Sequence, residues 1–128
     1  MKVEVTAAIE ELKRQFGSIS FTVREDGKGG AYVIMEPVVL GSKYNPPDTW
    51  IGFQIPAQYP YADIYPVFIG GNVLRADGIA FVAPITPGHK FEGRPALQVS
   101  RRNSAAQSGT QKAPAKILKI LDFLEKLS

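Results

Sequence analysis

A chain of 128 residues, 45% of them hydrophobic and 21% charged, buries roughly two thirds of its unfolded surface as one domain spanning 1–128, with no need of a metal or a disulfide. It has no cysteine and a single histidine, His89, which excludes a disulfide scaffold, a thiolate zinc site, a histidine-built metal site and, for this polypeptide, a cysteine nucleophile. The net charge of +3 is unevenly spread, because the segment from Thr86 onward carries eight basic residues against three acidic ones.

No apolar run approaches the roughly 20 residues that a bilayer span needs. Met1-Lys2-Val3-Glu4-Val5 lacks the basic-then-apolar profile of a secretion signal, so the expectation is a soluble cytoplasmic protein without a membrane partner. The basic carboxy-terminal third suits an acidic partner or a solvated helix face. Nucleic acid is not expected, since the basic residues are not interleaved with aromatics for base stacking.

Val5, Ala8, Ile9, Leu12 and Phe16 form the apolar stripe of a first helix of about 13 residues, with Gly17 as its stop. Phe21–Arg24 and Ala31–Met35 flank the glycine turn 25–30 and predict a hairpin. After the polar loop 41–48, Trp50–Ile55 predicts a third strand and Val67–Ile69 a short fourth. From Gly70 to about Thr110 prolines and glycines break every period, which predicts a long irregular segment of the kind that carries function. Pro114 then opens a last helix whose stripe is Ile117, Ile120, Leu121 and Leu124. The order is that of an α+β domain: two helices packed on a four-stranded antiparallel meander. Gly29-Gly30 and Gly70-Gly71 lack the Lys-Ser/Thr spacing of a phosphate-binding loop, so no nucleotide or other cofactor is expected.

Two stretches carry a resemblance. Pro56-Ala57-Gln58-Tyr59-Pro60, followed by Tyr65-Pro66-Val67-Phe68, resembles the proline-bracketed Tyr-Pro element between the third and fourth strands of ubiquitin-conjugating enzymes, about two residues longer here. Those enzymes also carry His-Pro-Asn, four residues, a glycine, two residues, the catalytic cysteine and a leucine. Thr86-Pro87-Gly88, four residues, Gly93, two residues, Ala96 and Leu97 reproduce that spacing, with alanine in the cysteine slot. Arg94–Arg102 looks most like divergent bacterial members, which are short and serve ubiquitin-like conjugation or CBASS-type antiphage systems. The helix after Pro114 matches the family's crossover helix, and the family's final one or two helices have no counterpart.

The resemblance implies an enzyme that carries the carboxy terminus of a ubiquitin-like protein, or of a cGAS-like nucleotidyltransferase, as a cysteine thioester and passes it to an amine, with an activating enzyme upstream. A methyl group at position 96 can do none of this. Alanine there either replaces a natural cysteine, the reading favoured by the intact Gly93 and Leu97, or marks a naturally inactive binding module like the related RWD domains. If the chain is a disabled conjugating enzyme, the loop from Pro87 to Leu97 places the Ala96 Cβ at the floor of a shallow, open groove; an Ala96 buried away from any groove points to the binding module instead. His89 and Asn103 are the candidates to support an oxyanion or move a proton, set against a packing histidine and a turn-forming asparagine. Arg94, Leu97 and the Arg101-Arg102 pair are the candidates for holding the incoming tail, the arginines through forked bonds to a carboxylate.

Overall fold

The computed structural model describes residues 1–102 and 112–127, so Asn103 lies outside the described residues. The described chain runs α1 (Val3–Gln15), β1 (Ser20–Glu25), β2 (Ala31–Val39), β3 (Tyr44–Asn45), β4 (Asp48–Ile55), β5 (Val67–Gly70), β6 (Leu74–Arg75), β7 (Ile85–Phe91), β8 (Arg94–Val99) and α2 (Ala113–Glu125). One six-stranded antiparallel sheet has the order β1-β2-β4-β5-β8-β7, and β3 and β6 form a separate two-stranded ribbon. The fold is α+β. Among the described residues no helix is long and apolar enough to cross a membrane.

Both helices cover the same face of the sheet. Val5, Ala8, Ile9 and Leu12 of α1 and Ile117, Ile120 and Leu124 of α2 are buried against Val33, Phe53, Val67 and Val99, which are register partners across four adjacent strands. Each Val, Leu, Ile or Phe among them, fully buried, contributes about 1.5–3 kcal/mol over leaving it in water. Two tyrosines pin the ends of α2. The Ala113 N–H, one of the orphan donors of the helix start, donates to the Tyr59 hydroxyl at 2.9 Å, and the Tyr44 hydroxyl donates to the Leu124 carbonyl at 2.5 Å. Burial pushes both phenols above their ordinary pKa.

The four expected strands are present as β1, β2, β4 and β5, and they are consecutive neighbours. The expected irregular segment is corrected by the structure, because β6, β7 and β8 lie within it and the last two extend the main sheet to six strands. Period-2 alternation is hidden there by a bulge between Thr86 and His89, where Gly88 has φ +85°, and by Pro95 inside β8. Between β7 and β8, Glu92 (φ 49°) and Gly93 (φ 79°) make the two-residue, doubly left-handed turn that closes tight hairpins.

Candidate functional site

The sheet face away from the helices carries a second, smaller cluster: Ile34, Phe91 and Ala96 are buried there, with Tyr32, Trp50 and Phe68 partly exposed around them. Its foundation is the register row Ile34, Gly52, Phe68, Gln98. The tip of the β7–β8 hairpin curls over this face. Glu92 at the tip takes two bonds from Arg24 of β1, at 2.7 and 2.8 Å, and Arg94 gives two to Glu36 of β2, both at 2.9 Å. β8 stands four strand spacings from β1, roughly 19 Å, so a flat hairpin could not make the first contact. The Phe91 ring stacks on Phe68 at 5.0 Å and meets Tyr32 and Trp50 at 6.1 and 6.2 Å.

Gly52 makes this approach possible. A Cβ there would stand 2.6 Å from two Phe91 ring carbons. The arginine partners hold the Glu36 and Glu92 carboxyls below the usual carboxylate range, chiefly through those forked hydrogen bonds. Arg24 also lies over the Tyr32 ring and Arg94 over Trp50, at 4.5 and 5.6 Å, so both cations are engaged twice.

Ala96 sits under this lid. It pairs with Gly70 of β5 on one side and His89 of β7 on the other, and it is 2% exposed. A hollow of about 310 Å³ opens beside Trp50, lined by Glu36, Pro37, Asp48, Thr49, Trp50 and Asn72, and Ala96 is not in its wall. Position 96 is therefore not at the floor of an open groove. The cause is tertiary: the strand that the family spacing makes a loop is paired on both edges, and Ala96 is buried in one cluster with Phe91 of its own hairpin and Ile34 of β2.

The expected site residues separate into three places. His89, Arg94 and Ala96 share the outer face, where His89 Nε2 lies 3.0 Å from Thr86 Oγ1 and its ring is 6.4 Å from that of Phe68. Leu97 points the opposite way, into the core beneath the helices, where it packs in the main cluster. Arg101 and Arg102 lie on the helix side: Arg101 is over the Phe123 ring of α2 at 4.7 Å and Arg102 over Tyr65 at 3.9 Å. Beside them Lys116, 2% exposed, donates to Asp63 at 3.0 Å and to the Arg101 carbonyl at 2.8 Å. Among the described residues no group of three His, Asp or Glu side chains is placed to hold a metal ion.

Sequence reasoning passed over Arg24, Glu36, Phe91, Glu92 and the Lys116–Asp63 pair. One signal was available for the first group: Ala31–Met35 is apolar at every position, the mark of a strand covered on both faces. Comparison with known proteins finds no matching family, no matching curated protein and no matching solved structure.

Proposed function

We propose that this chain is a ubiquitin-conjugating-like domain acting as a protein-binding module, one that engages the tail of a ubiquitin-like protein or of a cGAS-like nucleotidyltransferase without forming a thioester to it. Motif spacing from Thr86 to Leu97 supports the family, as does the α+β class with a helix before and after the sheet, while the β7–β8 hairpin departs from the loop that the family spacing implies. The observation that favours binding over transfer is the 2% exposure of Ala96. Thioester formation needs a thiolate that an incoming carbonyl can reach in line, with donors for the oxyanion beside it. A sulfur at this position would lie in the buried cluster with Ile34 and Phe91, on a strand whose backbone is paired on both edges, and burial raises a thiol's pKa.

A transferase reading comes second, and one observation favours it: His89 is the register partner of Ala96, so a proton carrier stands beside the cysteine slot.

Introducing Ala96→Cys separates the two. On the binding reading, the introduced thiol reacts with Ellman's reagent more slowly in the folded protein than in guanidinium, by a factor on the order of 100, corresponding to an opening cost of about 2.7 kcal/mol. A thiol that reacts as fast folded as unfolded, and that forms a thiol-labile adduct with a ubiquitin-like protein, its activating enzyme and ATP, overturns it in favour of transfer.

A further inference from the structure

Five of the six arginines of this chain, all but Arg14, are held in one of two ways among the described residues. Arg24, Arg75 and Arg94 each place two nitrogens on one carboxylate, those of Glu92, Asp77 and Glu36. Arg101 and Arg102 are exposed and adjacent, and neither makes an ion pair or a side-chain hydrogen bond among the described residues. Each is instead parked over an aromatic ring, Phe123 and Tyr65 respectively.

A ring contact of this kind engages the cation without consuming any N–H donor, so it orders the guanidinium and leaves its forked edge available to an acceptor. The backbone beneath is also held. Lys116 Nζ, buried in α2, donates to the Arg101 carbonyl while paired with Asp63, which ties this point of the chain to α2 and to the β4–β5 connection. Ordering two cations in advance removes part of the entropy that two loose surface arginines lose on binding. Lys119, exposed one helical turn before Phe123, adds to the same sign of field.

We propose that Arg101 and Arg102, on their Phe123 and Tyr65 platforms, form a docking edge for an acidic segment of a partner protein, recognised through its side-chain or terminal carboxylates. The inference rests on the binding-module reading and names the chemistry of the partner. Charge complementarity selects the occupant, since the edge is cationic and no carboxylate of the chain pairs with either guanidinium among the described residues. Nucleic acid is the alternative that the test separates: Tyr65 and Phe123 each have one face taken by an arginine, which leaves less aromatic surface for stacking bases. The edge also lies on the helix side of the sheet, away from Ala96, so docking here is separate from whatever occurs at the outer face.

The test is fluorescence anisotropy at about 50 mM salt, where surface charge is weakly screened, with a fluorescein-labelled hexaglutamate peptide and an oligothymidylate of equal charge as probes. The peptide is expected to bind the parent protein, and Arg101→Gln/Arg102→Gln to weaken it at least about tenfold, the scale of losing charge-assisted forked bonds. Lys28→Gln/Lys90→Gln, which removes the same charge from exposed positions elsewhere, is expected to change affinity less than about twofold. Arg101→Lys/Arg102→Lys keeps the charge and loses the fork, and an intermediate affinity is expected even if the glutamine pair disturbs folding. Peptide binding that is absent in the parent, or weakened equally by both glutamine pairs, overturns the proposal. So does an oligothymidylate that binds tighter than the peptide and depends on the same arginines. Lost peptide binding with the Ala96→Cys thiol still protected removes this inference alone, whereas a reactive thiol at position 96 with peptide binding intact removes the binding-module reading alone.

Discussion

Gly52→Ala tests whether the hairpin tip is seated on the outer face. The added methyl would stand 2.6 Å from the Cδ2 and Cε2 carbons of Phe91 and 2.8 Å from the Cζ3 carbon of Trp50, whereas non-bonded carbons rest at about 3.5–4.0 Å. The Phe91 ring must therefore shift by roughly 1 Å. It is 7% exposed and wedged between Phe68, Trp50 and Tyr32, so it cannot swing aside without dragging the Glu92-Gly93 turn and straining the Arg24–Glu92 bonds. Overpacking of this kind costs about 1–3 kcal/mol, and for a domain of this size each kcal/mol lowers Tm by about 4 °C, so a fall of roughly 4–12 °C is expected. Phe91→Ala alone should cost about 3 kcal/mol. In the double variant the methyl occupies the space that the ring vacates, so the two costs should combine to about 1–3 kcal/mol less than their sum. Urea unfolding of the four proteins measures this directly. Strictly additive costs, or a Gly52→Ala protein as stable as the parent, would refute the seating of Phe91 on Gly52. In an Ala96→Cys background the same glycine replacement should also speed thiol labelling, because lifting the tip uncovers position 96.

Two further outcomes follow from the charged pairs. The Glu36 carboxyl is held below its ordinary value of 4.5 by Arg94, so its contribution is complete above that value and is lost as pH falls through the lowered folded-state value. Glu36→Gln should thus lower Tm slightly at pH 7, by the equivalent of about 1 kcal/mol or less for so exposed a pair. Parent and variant melting curves should converge as acid protonates the folded-state carboxyl, and an unchanged difference at low pH would count against the pairing. Lys116→Met removes the ammonium that faces the buried Asp63 and donates to the Arg101 carbonyl. A loss of about 3–5 kcal/mol is expected in urea unfolding, with partial recovery when Asp63→Asn is added; a cost under about 1 kcal/mol would show that the pair does not anchor this edge.

Both helices were legible in the sequence because their apolar residues recur at a helical period: Val5, Ala8, Ile9 and Leu12 are buried in α1, as are Ile117, Ile120 and Leu124 in α2. The first hairpin was equally plain, with β-rich runs on either side of Asp26–Gly30, and the Asp26 carboxylate accepts the Lys28 and Gly30 N–H bonds that close it. These are local signals, carried within one helix face or one turn. The β7–β8 hairpin was not legible, since Gly88, Gly93 and Pro95 read locally as breakers, yet each has a place in it: a bulge, a tight turn and an interior position of β8. What makes those residues strands is the long-range pairing of Val67 through Gly70 with Ala96 through Val99. The candidate site divides in the same way. Spacing alone brought Ala96, His89, Arg94, Leu97 and the two arginines into one segment, but a strand sends successive side chains to opposite faces, and so Leu97 enters the core while Ala96 faces outward. Whether Ala96 is open or closed depended on Phe91, Glu92 and Arg94 reaching partners on strands far from them in sequence, Arg24, Glu36 and Gly52 among them. No short-range pattern records such contacts, and only the packed tertiary structure could decide them.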